Sequence, residues 1–169
     1  MYLKVLISDH KQSVITAAEE CNPSFDVELG NPLAFDIDAV VSPANTKGIM
    51  NGGYDAVLRR YFGLTIEMRV RQYIEKFPIS VGEAISVMTG HDKVQFLIVT
   101  PTVSANGEGL SGHQSVSYSC AYASVIAAYK RNVSFLGMTG LGTGVGGLSV
   151  SDAIREQVRG IEDALHEIS

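Results

Sequence analysis

The stretch VVSPANTKGIMNGGYDAVLRR, residues 40–60, decides the fold because it reads as strand, loop and helix in one pass. Val40 and Val41 belong to a brief apolar run over residues 38–42, the pattern of a strand covered on both faces. Pro43 lacks an N–H and is expected to end strand pairing there. Asn45, Asn51, Gly52 and Gly53 are residues that tolerate a left-handed backbone or admit close approach to it. Asp55 falls in the first turn of the following helix, where the helix dipole favours a carboxylate. Val57, Leu58, Tyr61 and Phe62 share one face of that helix, and Gly63 is a natural stop. Taken alone, an Asn/Gly-rich connector with an acidic helix start is ordinary turn chemistry. The functional alternative is a small cleft lined by backbone amides, with one amide side chain and one carboxylate aimed inward.

Alternating strand and helix periods surround this stretch. Upstream, residues 2–8 read as a strand, and Asp9 offers an N-cap, with Gln12 three residues on, for a helix over 10–20. Residues 24–29 read as a second strand. Downstream, Ile66, Val70, Tyr73, Ile74 and Phe77 mark the apolar side of a second helix. Residues 82–89 and 94–100 read as strands, and a long helix over 113–130 carries Val116, Cys120, Ala123 and Ala127 in one row. Residues 133–138 form the last strand. The terminal helix carries Ile154, Val158, Ile161, Leu165 and Ile168 at helical spacing. Six strands interleaved with four or five helices predict an α/β domain of three layers, α/β/α, with a mixed sheet and helices on both faces. The 169 residues suit one domain. Ligands of such sheets sit outside the carboxyl ends of the strands, which points to the loops after residues 42, 100 and 138.

The last of these loops is glycine-dense: GMTGLGTGVGGLS, residues 137–149. Such a run leaves several N–H groups free to converge on an anion, next to a helix N-terminus. Its ordering costs on the order of 1 kcal/mol of backbone entropy per residue, which ligand approach would explain. Gly142, Gly144 and Gly147 match the GxGxxG pattern of dinucleotide-binding folds. The context argues against that reading, because the fingerprint belongs in a first strand–helix–strand unit with an acidic residue ending a second strand. Here Glu162 and Asp163 lie at the right distance but on a helix. No GK[ST] or GxSxG follows, so a P-loop and a nucleophile elbow are excluded.

Composition narrows the classes further. A formal net charge of −5 argues against sequence-independent grip on a nucleic-acid backbone. Arg59, Arg60, Arg69 and Arg71 form the one basic cluster, read as solvated helix faces. Backbone amides can still hold phosphates, since they add nothing to formal charge. Cys21 and Cys120 lie far apart and form no CxxC, so they read as reduced thiols of a cytoplasmic protein. No apolar run approaches the roughly 20 residues that cross a bilayer, so no membrane partner is expected. The four histidines lack metal-ligand spacing, and neither metal nor cofactor is expected.

In their order and spacing these segments resemble the macrodomain family, whose members bind ADP-ribose and in some branches hydrolyse ADP-ribosyl linkages. The matching segments are Gly30-Asn31, Ser42-Pro43-Ala44-Asn45, Asn51-Gly52-Gly53-Tyr54-Asp55 and Gly142-Thr143-Gly144-Val145-Gly146, and the likeness spans residues 24–168. The resemblance implies that Asn45 hydrogen-bonds the distal ribose and that Ala44, Gly52 and Gly53 bring backbone to the sugar and diphosphate. It implies that Thr143, Gly144, Val145 and Gly146 donate N–H groups to the phosphates. Asp55 would orient or activate water near the anomeric carbon, giving Asp55 and Asn45 the catalytic roles. Three positions depart from the family pattern. Asn31 stands where an aspartate usually accepts from the adenine amino group. Ser42 replaces the first Asn of an NAAN motif. Gly146 replaces an aromatic common in hydrolytic members, which opens the pocket and shifts the expectation from rapid turnover toward binding. The expected partner is ADP-ribose or a related nucleotide, carried by a protein or nucleic acid. The alternative is a non-enzymatic sensor or sink for another adenine-nucleotide or NAD-derived metabolite.

Overall fold

The computed structural model describes residues 2–105, 115–143 and 149–169. It shows β1 (Lys4–Asp9), α1 (Gln12–Glu19), β2 (Asp26–Leu29), a 3-10 turn (Pro32–Ala34), β3 (Ala39–Asn45), α2 (Gly53–Phe62) and α3 (Leu64–Lys76). There follow β4 (Ile85–Met88), β5 (Phe96–Val103), α4 (Val116–Lys130), β6 (Phe135–Met138) and α5 (Val150–Ile168). The strands form one six-stranded sheet in the order β2-β1-β6-β3-β5-β4. Every neighbouring pair is parallel except β4, which runs antiparallel to β5.

The period-2 rule explains why the central strands read as unbroken apolar runs. In β3, Ala39 and Val41 join the core under α1, α4 and α5, while Val40 and Ala44 join the core under α2 and α3. In β5, Ile98 faces the first core, and Leu97 and Val99 face the second. A strand buried on both faces has no polar side to show. The three-layer expectation therefore holds, with α1, α4 and α5 on one face and α2 and α3 on the other. Among the described residues no helix is long and apolar enough to cross a membrane.

Helix signals fare well at glycine. Gly63 separates α2 from α3 with φ +94°, a conformation that favours glycine at a helix end. At Gly160 on α5 an added Cβ would lie 2.5 Å from the Tyr118 carbonyl oxygen, so the crossing of α4 and α5 is as close as glycine allows. Phe77, expected on the apolar side of α3, instead follows the helix and is 53% exposed. The first residues of the expected helix over 113–130, His113 and Gln114, lie outside the described residues. Ser115 caps α4, accepting from the Tyr118 N–H.

Two local expectations are corrected. Pro43 does not end pairing, since β3 runs on to Asn45 and Pro43 sits opposite Thr100 of β5. Pairing of β3 with β6 stops at Val40, so that side of the strand is open and a missing N–H is tolerated. Asp9 closes β1 and does not N-cap α1; the cap position is Lys11, with no side-chain cap bond. The Asp9 carboxylate is drawn elsewhere, as the site explains.

Candidate functional site

β1 and β2 build one edge of the sheet, and the chain then crosses to start β3 on the far side of β6. Between β1 and β3 the winding direction reverses, and there the loops leave a gap above the carboxyl ends. The gap is a cleft of about 490 Å³ whose floor takes Asp9 from β1, Pro43 from β3, Thr102 from β5 and Thr139 beyond β6. Gly52, Gly53 and Tyr54 form one wall, Gly140, Gly142 and Thr143 the other, with His10 and Lys11 at the rim. The volume falls within the roughly 300–1,000 Å³ common for small-molecule sites.

The Thr139–Thr143 wall is fixed from beneath by buried polar side chains. Gly140 N–H donates to Asp9 Oδ2 at 3.0 Å, and Leu141 N–H to Gln157 Oε1 at 2.8 Å. Gln157 Nε2 donates to the Thr139 carbonyl at 2.8 Å, and Ser117 Oγ to the Leu141 carbonyl at 2.7 Å. Asp9, Gln157 and Ser117 are all buried. Gly140 thus explains the failed cap: the carboxylate bridges Gly140 N–H and, through Oδ1, the Lys11 N–H at 3.0 Å. Gly142 has φ +70°, and an added Cβ there would lie 2.5 Å from Ser117 Oγ. Both the conformation and the space demand glycine.

The opposite wall is held by its own loop, by α3 and by the segment after β5, where Ala105 N–H donates to Thr46 Oγ1 at 2.8 Å. Asn45 Oδ1 accepts from Lys47 N–H at 3.0 Å and Ile49 N–H at 3.2 Å, and Nδ2 donates to the Ile49 carbonyl at 3.0 Å. Glu67 accepts from Met50 N–H. Gly48, at φ +73°, packs so closely on α3 that an added Cβ would lie 2.7 Å from Val70. At Gly52 and Gly53, by contrast, an added Cβ would meet nothing within 4 Å. Gly53 has φ +55°, but Gly52 has the extended φ of −153° that any residue adopts. Gly52 holds the N-cap position of α2, where glycine is among the favoured residues, and it borders the open space of the cleft.

The remaining sequence-predicted residues are spread around this cleft. Gly52, Gly53 and Thr143 line it. Asn45 stands below the first loop with its side chain engaged in the turn just described. Ala44 is buried in the core. Asp55 is 4% exposed, accepts a hydrogen bond from Ser42 Oγ, and does not line the cleft. Burial pushes its carboxyl up to about 6, against the opposing effect of the Ser42 hydrogen bond, and Glu67 adds to the rise. Asn31 is exposed and caps the 3-10 turn, its Oδ1 accepting from Leu33 N–H at 3.0 Å and from Tyr54 Oη at 2.7 Å. Its oxygen already serves two donors, and it reaches the cleft through Tyr54. Burial and then the Asp9 carboxylate raise the Tyr54 phenol above its ordinary range. Gly144, Val145 and Gly146 lie outside the described residues.

Sequence reasoning missed Asp9, Tyr54, Thr102, Thr139 and the supporting Gln157. The carboxyl-end rule could have found Asp9, the last residue of the first strand. Tyr54 sat between two named positions. Gln157 had no signal beyond its place on the buried side of the α5 stripe. Among the described residues, no group of three or more His, Cys, Asp or Glu side chains is placed to hold a metal ion.

The pattern for the macro domain matches residues 41–156, and the chain belongs to the macro domain family. An uncharacterized protein of Aeropyrum pernix is 33% identical over 130 residues, covering 77% of this chain and 66% of that protein. One of Aquifex aeolicus is 33% identical over 135 residues, covering 80% and 79%. Among solved structures, the macrodomain of Mycobacterium tuberculosis DarG matches with a TM-score of 0.66 at 19% identity, over 79% of this chain and 87% of that one. The Oceanobacillus iheyensis macrodomain with ADP matches with a TM-score of 0.66 at 18% identity, over 79% and 72%. A mutant of the latter has been solved with ADPR. At these identities the structures speak for the fold.

Proposed function

We propose that the cleft binds ADP-ribose or an ADP-ribose derivative. The observation that carries this reading is the pair of glycine-bearing walls, Gly52–Gly53 and Gly140–Thr143, facing one another above the strand ends with open space beyond Gly52 and Gly53. Backbone amides at such a place suit a diphosphate without formal charge, and Lys11 adds a cation at the rim. Family membership, and relatives of the same fold solved with ADP and ADPR, support the choice of nucleotide. In this reading Thr143 and the following Gly144, Val145 and Gly146 donate N–H groups to the phosphates. Gly52 and Gly53 let backbone approach the sugar, and Asn45 shapes the loop that presents them. A protein or nucleic acid carrying the ADP-ribosyl group would lie at the mouth of the cleft.

Binding is favoured over turnover by the position of Asp55, which is buried against Ser42. Hydrolysis through Asp55 is the competing use of the same site. Calorimetric titration with ADP-ribose, AMP, NAD and cyclic ADP-ribose tests the first reading. ADP-ribose is expected to bind tightest. Binding no better than millimolar, alongside tight binding of another nucleotide, would make the protein a sensor or sink for that metabolite. Release of ADP-ribose from a modified substrate by the wild-type protein, abolished in Asp55→Ala with ADP-ribose affinity retained, would establish the hydrolytic reading.

A further inference from the structure

We propose that the face formed by the end of α2, the start of α3 and the end of β4 is a docking surface for an acidic segment of a partner protein. Seven large hydrophobic side chains are exposed among the described residues, and four of them, Tyr61, Leu64, Met68 and Met88, lie here. Tyr61 and Met88 flank the turn after β4, and Leu64 and Met68 lie on the adjoining α3. The Tyr61 ring packs 5.2 Å from the His91 ring, and the Arg69 guanidinium donates to the Met88 carbonyl at 3.1 Å. Leu64 and Met68 are one turn apart on α3.

The charge of this face opposes that of the chain. Residues 59–71 carry four arginines and one glutamate in a protein of net charge −5. That glutamate, Glu67, is turned inward onto Met50 N–H and the Arg59 side chain. Residues 59–71 therefore present arginine, tyrosine and methionine without lysine, the composition enriched at the centres of protein interfaces. A single nucleic-acid strand would engage the arginines but needs aromatic faces for its bases, and would leave Leu64, Met68 and Met88 unused. A second copy of the same face would set arginines against arginines. An acidic segment with apolar anchors uses every feature present. Arg59 and Arg60 also line a shallow hollow with Met50 and Asn51, so such a partner would reach the outer edge of the loop that carries Gly52.

The test is to select a random-peptide phage library on the immobilised protein and to synthesise the enriched sequences. The expected sequences are rich in Asp and Glu with one or two Leu, Met or Phe anchors. Their affinity should fall by at least about tenfold in Arg60→Glu/Arg69→Glu and in Leu64→Ser/Met68→Ser. ADP-ribose affinity measured on the same variants should stay within about twofold of wild type, which separates this proposal from the reading of the cleft. No enrichment, enrichment without acidic excess, or equal binding by the variants would overturn the proposal. So would stronger binding of an oligothymidylate or of phosphatidylserine vesicles that the same variants lose.

Discussion

The two walls of the cleft reach rigidity by opposite routes. The Asn45–Gly53 wall is tied largely by its own residues: Asn45 bonds Lys47 and Ile49 within four positions, with Glu67 of α3 on Met50 N–H and Ala105 N–H on Thr46 Oγ1 added from outside the loop. The Thr139–Thr143 wall is tied from a distance, by Asp9 at the far end of the chain, by Ser117 on α4 and by Gln157 on α5. A locally tied loop can be loosened by itself. A loop tied by three separate elements shares its stability with the core, because its partners are buried and each lost partner leaves a polar group unpaired.

The largest effect is expected at the second wall. Gln157→Leu keeps the volume but leaves Thr139 carbonyl and Leu141 N–H without partners, a loss on the order of 3 kcal/mol or more. Urea denaturation should show a lower midpoint with an unchanged slope, and ligand affinity should fall with it. An unchanged midpoint would mean that the wall is not fixed through α5.

An intermediate effect is expected at Asp55, with a pH signature. Its folded-state pKa of about 6 lies above the ordinary aspartate value of about 3.9, so the folded protein holds the proton more tightly than the unfolded chain. The stability this contributes is present in full below about pH 4 and is lost as pH rises through about 6, amounting to no more than about 3 kcal/mol. Asp55→Asn removes that dependence while keeping an acceptor for Ser42 Oγ. The variant should therefore gain stability relative to wild type as pH rises from about 4 to about 8. A difference that does not vary with pH would contradict the assignment.

The smallest effect is expected at Asn45. Asn45→Ala removes three hydrogen bonds in a part-exposed turn, worth about 1–2 kcal/mol together. Hydrogen exchange at Lys47 and Ile49 should accelerate while amides of β3 stay protected. Global acceleration would show that the first wall is as tightly coupled to the core as the second.

The same contrast governs what the sequence disclosed. Strand and helix periods, the glycine stop at Gly63 and the glycine-dense loops are local signals, and each placed its element within a few residues. The Asn45 loop was legible for the same reason, since an asparagine among glycines bonds its own neighbours. Asp9 was misread because its local partner, Lys11 N–H, resembles an Asx turn at a helix start, while its structural use depends on Gly140, 131 positions away. Pro43 was misread because whether a proline breaks pairing depends on the neighbouring strand, and β6 had already turned away. Gln157 was invisible because burial, not sequence, converts an ordinary helix glutamine into a clamp. Asp55 was legible as a helix-start carboxylate, but its direction, onto Ser42 and away from the cleft lining, was not.

If the cleft is the nucleotide site, the ligand binds in the space between these two walls. Titration of ¹⁵N-labelled protein with ADP-ribose, followed by amide chemical shifts, tests it most directly. The largest changes are expected at Gly52, Gly53, Gly140, Gly142 and Thr143, with little change on the Leu64–Met68 face. Saturable changes centred elsewhere, or none at millimolar ADP-ribose, would contradict it.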